Sequence, residues 1–253
     1  MKKTLIALMA LAGVAMAETF TMDQLVATGT MGSSVTLNAN YTADKVYSFV
    51  GDSAITNITS AGLTSALQAS TGFITIAAWV NQTEGSEDAI FSFGGQNDGF
   101  KFALKNDKLQ ITTKGVKDST TDVAVAQGTL AEPAWTLVAV SVDLDKTDAN
   151  SVFFAGSAGY TTLTTTDGIA LGSWNAASNS YFAIGSGNSD GMRDGFEGQI
   201  ANLTIFTSDT VATAETIMNV MGNTAPMMIV PEPATATLSL LALAGLAARR
   251  RRK

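Results

Sequence analysis

The stretch Gly187-Asn188-Ser189-Asp190-Gly191-Met192-Arg193-Asp194 sets three hard oxygen donors, Asn188, Asp190 and Asp194, in a glycine-rich loop. Such oxygens are what a calcium ion takes from flexible loops. The spacing is not that of an EF-hand, and Asp and Gly are also what ordinary turns are made of. Calcium is therefore the one cofactor expected, set against a plain turn. A second constellation is cationic: Lys101, Lys105 and Lys108, with Lys114 and Lys117, crowd into FKFALKNDKLQITTKGVK. These lysines would suit an anionic glycan, or they would guard a sheet edge against aggregation, which explains them without a ligand. A third is Trp174 with Asn175 and Asn179 in GSWNAASN, a ring to stack on a sugar and two amides for its hydroxyls. Trp79 and Trp135 lie in apolar runs and read as core.

Two absences exclude more than these groups suggest. With no His and no Cys, imidazole bases, the Ser-His-Asp triad and thiol chemistry are all ruled out. Glycoside hydrolysis would still be open to a pair of carboxylates about 5 Å apart. The nearest pattern, Asp143-Leu144-Asp145, runs into the turn-like Lys146-Thr147-Asp148-Ala149-Asn150 and reads as a solvated strand end. The expectation is a noncatalytic protein.

The elements that must hold these groups are short alternating strands. Phe73 to Val80 (FITIAAWV) is apolar on both faces, as in the middle of a covered sheet. Ala89–Phe93, Trp135–Asp143, Ser151–Ala155, Tyr181–Gly185 and Gln199–Phe206 are strand-length and bounded by turn residues. One hairpin can be set in register: a two-residue turn at Asn106-Asp107 pairs Lys105 with Lys108, Leu104 with Leu109 and Ala103 with Gln110. Phe100, Phe102, Leu104, Leu109 and Ile111 then face the core, while Lys101, Lys105, Lys108, Gln110, Thr112 and Lys114 face solvent.

The two ends have a different character. Residues 1–17 (MKKTLIALMALAGVAMA) carry a charged start, an apolar segment and an Ala-x-Ala exit, the pattern of a secretory signal peptide cut before Glu18 by signal peptidase. Residues 234–253 form a short apolar run ending in Arg249 to Lys253, marginal as a permanent span but sufficient as a transient transmembrane helix. Residues 226–233 link it to a body spanning 18–225. Seven of the 15 cations lie in these terminal segments, leaving 8 against 21 acids and a body charge of about −13. That balance excludes a nucleic-acid partner.

Val230-Pro231-Glu232-Pro233, followed by the apolar run and the Arg cluster, resembles the PEP-CTERM sorting signal of Gram-negative bacteria. The resemblance implies processing by an exosortase, contact with the membrane only through the tail before its removal, and a final place at the cell surface or outside the cell. Within the body, Tyr47–Asp52, Phe73–Val80, Ile90–Gly95, Trp135–Asp143, Phe182–Gly185 and Phe196–Phe206, followed by a short helix around 212–221, resemble in their order a laminin-G-like domain. That implies an all-β, concanavalin-A-like (laminin-G-like) jelly-roll β-sandwich between a signal peptide and a C-terminal apolar helix. The fold hosts lectins, adhesive modules and hydrolases. With no carboxylate run, the expected role is binding of extracellular glycans or matrix proteins. A structural matrix component without a specific ligand is the alternative, with a glycoside hydrolase third.

Overall fold

The computed structural model describes residues 16–41, 45–51, 53–68, 71–84, 87–94, 99–113, 116–145, 150–168, 181–188 and 193–228; of 16, 17 and 116–124 only the backbone is described. The run that is apolar on both faces is the start of β6 (Phe73–Glu84), which lies between β11 (Thr136–Asp143) and β15 (Glu197–Ser208). Around this centre the larger sheet continues through β12 (Ser151–Ser157) to β13 (Thr164–Asp167) on one side. On the other it continues through β4 (Val46–Phe49) to β3 (Val35–Leu37). The far edge of β15 is shared: Gly198–Ala201 pair with β4, and Thr204–Ser208 pair with the N-terminal β1 (Met16–Thr21).

The second sheet has the order β10 (Val116–Ala124), β9 (Lys108–Thr113), β8 (Phe100–Lys105), β7 (Glu87–Phe93), β14 (Tyr181–Ile184), β5 (Ile55–Thr59), β2 (Thr30–Met31). Strand pairing within both sheets is antiparallel, so the described residues form the all-β sandwich that the strand pattern predicts. Between the sheets, Ile74, Ile76, Ala78 and Val80 of β6 and Val138, Val140 and Val142 of β11 face Phe91, Phe93, Phe102, Leu104, Leu109 and Phe182. Helices α1 (Met22–Val26) and α2 (Ala61–Gln68) add Leu25, Leu63 and Leu67 to that core.

The hairpin forms in the expected register, with Lys105 opposite Lys108 and Ala103 opposite Gln110. Positive φ at Asn106 (50°) and Asp107 (62°) gives the tight turn whose twist matches the strands. Two expectations need correction. The hairpin is not an edge: β10 lies beyond β9 and β7 beyond β8, so Lys101, Lys105 and Lys108 sit within the sheet and do not guard its border. Gln110 does not face solvent but is fully buried, and the Lys101 side chain is only 13% exposed. Alternation separates two faces of a strand without saying which is open. Here Gln110 lies opposite the fully buried Ala103 with β10 along its other side.

The larger sheet is buried on its outer face too. Trp79, Ala77, Leu137, Ala139, Ala201 and Phe206 point outward and are covered by Tyr160, Leu163 and α3 (Ala214–Met221). Helix α3 starts at Thr213, whose hydroxyl accepts from the Thr216 N–H at 3.1 Å, and ends at Gly222, whose φ of 68° turns the chain back along the sheet. Its Ile217 is fully buried against this second core. No helix among the described residues is long and apolar enough to cross a membrane. The segments 1–15 and 229–253, which hold most of the expected signal peptide and the whole sorting tail, lie outside the described residues.

Candidate functional site

The lysine cluster and the oxygen-rich loop meet. Lys101 on β8 places its ammonium between Glu87 on β7 and Asp194, with Nζ 2.8 Å from Asp194 Oδ2 and a direct ion pair to Glu87 Oε1. The other Glu87 oxygen lies 3.6 Å from Lys105 Nζ, and Arg193 Nε is 3.4 Å from Asp194 Oδ2. The loop is brought there by its backbone. The Ala89 N–H donates to Asp194 O at 2.8 Å, the Gly187 N–H donates to Arg193 O at 2.6 Å, and the Ser186 hydroxyl accepts from the N–H groups of Asn188 and Arg193. Charges alternate across this patch, and two carboxylates flank the Lys101 ammonium. Of the three expected calcium ligands, Asp194 is thus ion-paired to Lys101, Asn188 Oδ1 is buried without a hydrogen-bond partner, and Asp190 lies outside the described residues. No group of three acidic residues able to hold a metal occurs among the described residues.

At the strand end the Asp143 carboxylate accepts from the Asp145 backbone N–H at 2.8 Å and closes a turn. A carboxylate that strand patterning missed is Asp88. Strand β7 starts two residues before the predicted one, and Asp88 falls on its inward face opposite Leu104, only 1% exposed. It accepts from the Gln82 side-chain amide on β6 and from the backbone of Glu197, tying the two sheets together at one end. Burial is the main cause that raises its carboxyl from 3.8 to about 6; those two hydrogen bonds oppose the rise, and the charges of Glu197 and Asp107 add to it.

A third group lies on the outer face of the larger sheet. Gln199 on β15 sits opposite Asn81 on β6, Ala201 opposite Trp79, and Trp135 directly precedes β11, whose Thr136 is opposite Val80. Asn81 is saturated: its amide N–H groups donate to Thr129 O (2.9 Å) and Gln199 Oε1 (3.0 Å), and its oxygen accepts from the Ala134 N–H (2.9 Å). Tyr41 hydroxyl also donates to Gln199 Oε1, at 3.4 Å. Gln199 Nε2 and the indole N–H of Trp79 are buried without a protein acceptor, while the indole N–H of Trp135 is directed at the Tyr41 hydroxyl. The Trp135 ring meets Tyr41 edge-on (6.0 Å, 82°), and Trp79 lies 6.0 Å from Tyr160. An unmet buried donor costs about 1 to 3 kcal/mol.

On the same sheet a cleft of about 420 Å³ opens where β15 changes partner from β4 to β1, lined by Asn202, Thr204, Met22, Met221 and the exposed ion pair of Asp23 with Lys45 (2.8 Å). Trp79 and Trp135, expected in the core, are 0% and 6% exposed. Trp174, Asn175 and Asn179 lie outside the described residues, as do Val230, Pro231, Glu232 and Pro233. Sequence patterning marked none of Tyr41, Asn81 and Gln199; a buried amide on a strand looks in sequence like any solvent-facing one.

Two antiparallel sheets packed around one core define a jelly-roll β-sandwich. The chain belongs to the concanavalin A-like lectin/glucanases superfamily: a laminin-G-type family model matches residues 52–218. The PEP-CTERM protein-sorting motif matches residues 230–253, which marks the chain as exported, processed by an exosortase and sorted to the cell surface or extracellular space. No curated protein matches. Among solved structures, the chain is similar to a CBM40 module of Ruminococcus gnavus IT-sialidase bound to alpha2,6 sialyllactose (16% identity, 64% of this chain and 88% of that one, TM-score 0.44). It is also similar to the binding domain of botulinum neurotoxin DC in complex with SialylT (12% identity, 75% of this chain and 44% of that one, TM-score 0.48), so it spans less than half of that domain. These are distant likenesses of shape.

Proposed function

We propose that this is a noncatalytic binding protein of a Gram-negative cell surface or matrix: signal peptidase removes residues 1–17, exosortase removes the tail, and the jelly roll binds extracellular glycans or matrix proteins. The observation that carries this reading is the order of the chain, a lectin-type sandwich followed directly by a sorting motif. Its noncatalytic character is supported by the work its acids already do. Asp88 ties the sheets, Asp143 closes a turn, and Glu87 and Asp194 hold Lys101. The loop with Trp174, Asn175 and Asn179 remains a candidate sugar contact, and calcium at Asn188, Asp190 and Asp194 a candidate cofactor.

The test is a glycan array probed with the purified chain, with calcium and with a chelator, alongside Trp174→Ala. Selective binding without sugar release is the expected result. Loss of about 1 to 3 kcal/mol of affinity in Trp174→Ala with an unchanged melting temperature would locate a stacking contact, taking base–aromatic stacking as the scale. No retained glycan or matrix protein, or release of reducing sugar, would overturn the reading.

A further inference from the structure

We infer that Lys101 and Asp194 become joined by an isopeptide bond, a side-chain amide that forms within the folded chain with Glu87 carrying the protons. Such a bond is independent of what the jelly roll binds. Lys101 leaves β8 on the face opposite the core residues Phe100 and Phe102. Ser92, directly across on β7, and Ala103, next along on the same face, are fully buried, so the lysine stem rises from a covered floor. Three features distinguish its pairing with Asp194 from a surface salt bridge. Asp194 has φ of 48°, a left-handed backbone that a non-glycine residue adopts at a cost, and its carbonyl is fixed by the Ala89 N–H at 2.8 Å; together these aim its carboxylate at the ammonium. Gly187 lies against both partners: a Cβ there would sit 2.8 Å from Lys101 Cδ and 3.0 Å from Asp194 Oδ2, so bare backbone covers the pair. Glu87 also pairs with Nζ, which gives the ammonium a second carboxylate besides the one it would join.

Those groups are a nucleophile, an electrophile and a base. Glu87 takes a proton from the Lys101 ammonium, and the neutral amine attacks Asp194 Cγ. Arg193 Nε, 3.4 Å from Asp194 Oδ2, stabilises the negative charge that gathers on the carboxyl oxygens as the C–N bond forms. Glu87 then relays protons from the nitrogen to the departing oxygen, the C–O bond breaks, and water leaves. Of the ammonium's hydrogens one stays on the amide and two go with the water, so the step needs no oxidant, reductant or co-reactant. In open water this condensation is unfavourable. Contact at 2.8 Å within a fixed frame supplies the effective concentration that drives it. With no Cys the chain has no disulfide, and a bond between residues 93 apart, joining β8 to the loop before β15, gives an exported domain a covalent closure.

Tandem mass spectrometry of the purified full chain, unfolded in denaturant and digested with trypsin, tests this. The expected result is a cross-linked species that carries Lys101 on one peptide and Asp194 on the other and weighs one water less than the two together. Glu87→Gln keeps Lys101 beside Asp194 but removes the base, and in freshly made protein it should slow cross-linking by about a hundredfold. Asp194→Asn should give the same linkage with loss of ammonia in place of water, and Asp194→Ala should give none. Asp190-Gly191 and Asp194-Gly195 can also lose water by closing a succinimide, so Lys101→Arg is the control in which the water loss must vanish. A folded wild-type chain whose Lys101 and Asp194 peptides are recovered only separately overturns the bond, as does a water loss that survives Lys101→Arg. Cross-linking at an unchanged rate in Glu87→Gln overturns the role of Glu87.

Discussion

Asp88 is a carboxylate whose preferred state at neutral pH conflicts with its surroundings. Its folded value of about 6 lies above its ordinary 3.8, so between these values the folded chain holds more protons than the unfolded one. Stability from this group is present below about pH 4 and declines as pH rises through about 6. Asp88→Asn removes the charge while keeping an oxygen to accept from Gln82. The variant is expected to be more stable than the wild type by on the order of 1 to 3 kcal/mol at pH 7, a gain that vanishes near pH 4. Urea unfolding of both proteins across that range reads the difference directly. A pH-independent difference would mean that the carboxylate does not titrate in this window.

The strand β15 holds the larger sheet together, and its register slips beside Gly198. That glycine has φ of 139°, and a Cβ there would sit 2.0 Å from the Asn81 carbonyl oxygen. Gly198→Ala must therefore push β15 from β6 at the point where Gln199 meets Asn81. We expect a loss of about 2 to 4 kcal/mol in thermal or chemical unfolding; a melt within experimental error of the wild type would show that the strands absorb the shift. At this scale the sequence was most readable where local chemistry decides the outcome. The Asn106-Asp107 turn and its flanking alternation specify the hairpin register without help from the rest of the chain. It was least readable where a neighbour decides. Nothing in Lys101 or Gln110 announces that β10 extends the sheet beside β9 or that Asp194 pairs with Lys101, and Asp88 lay hidden because its strand starts earlier than its apolar run. Residues 18–45 carry none of the strand motifs, yet α1, β2 and β3 lie there with most of β1.

For the whole chain, processing at both ends is the central expectation. Intact-mass measurement of the protein recovered from the cell surface or medium should show a start at Glu18 and loss of Arg249–Lys253. A basic tail still attached to the extracellular form would sink the sorting reading. Pattern and motif order were enough to read the sandwich and the sorting motif from sequence, because sorting signals and sandwich strands are both linear features. The aromatic face was not legible in that way, since Tyr41, Trp79, Trp135 and Gln199 come together only when four distant segments fold. The pairing of β1 with β15 carries a consequence for the order of events. Thr21 lies opposite Thr204, so the first strand made waits for the last one before its edge is satisfied. Contacts of such separation form late and slowly. A chain threaded outward from its N-terminus therefore cannot close its sandwich before nearly all of it has crossed, and the export channel receives an open polypeptide whose fold is completed on the far side.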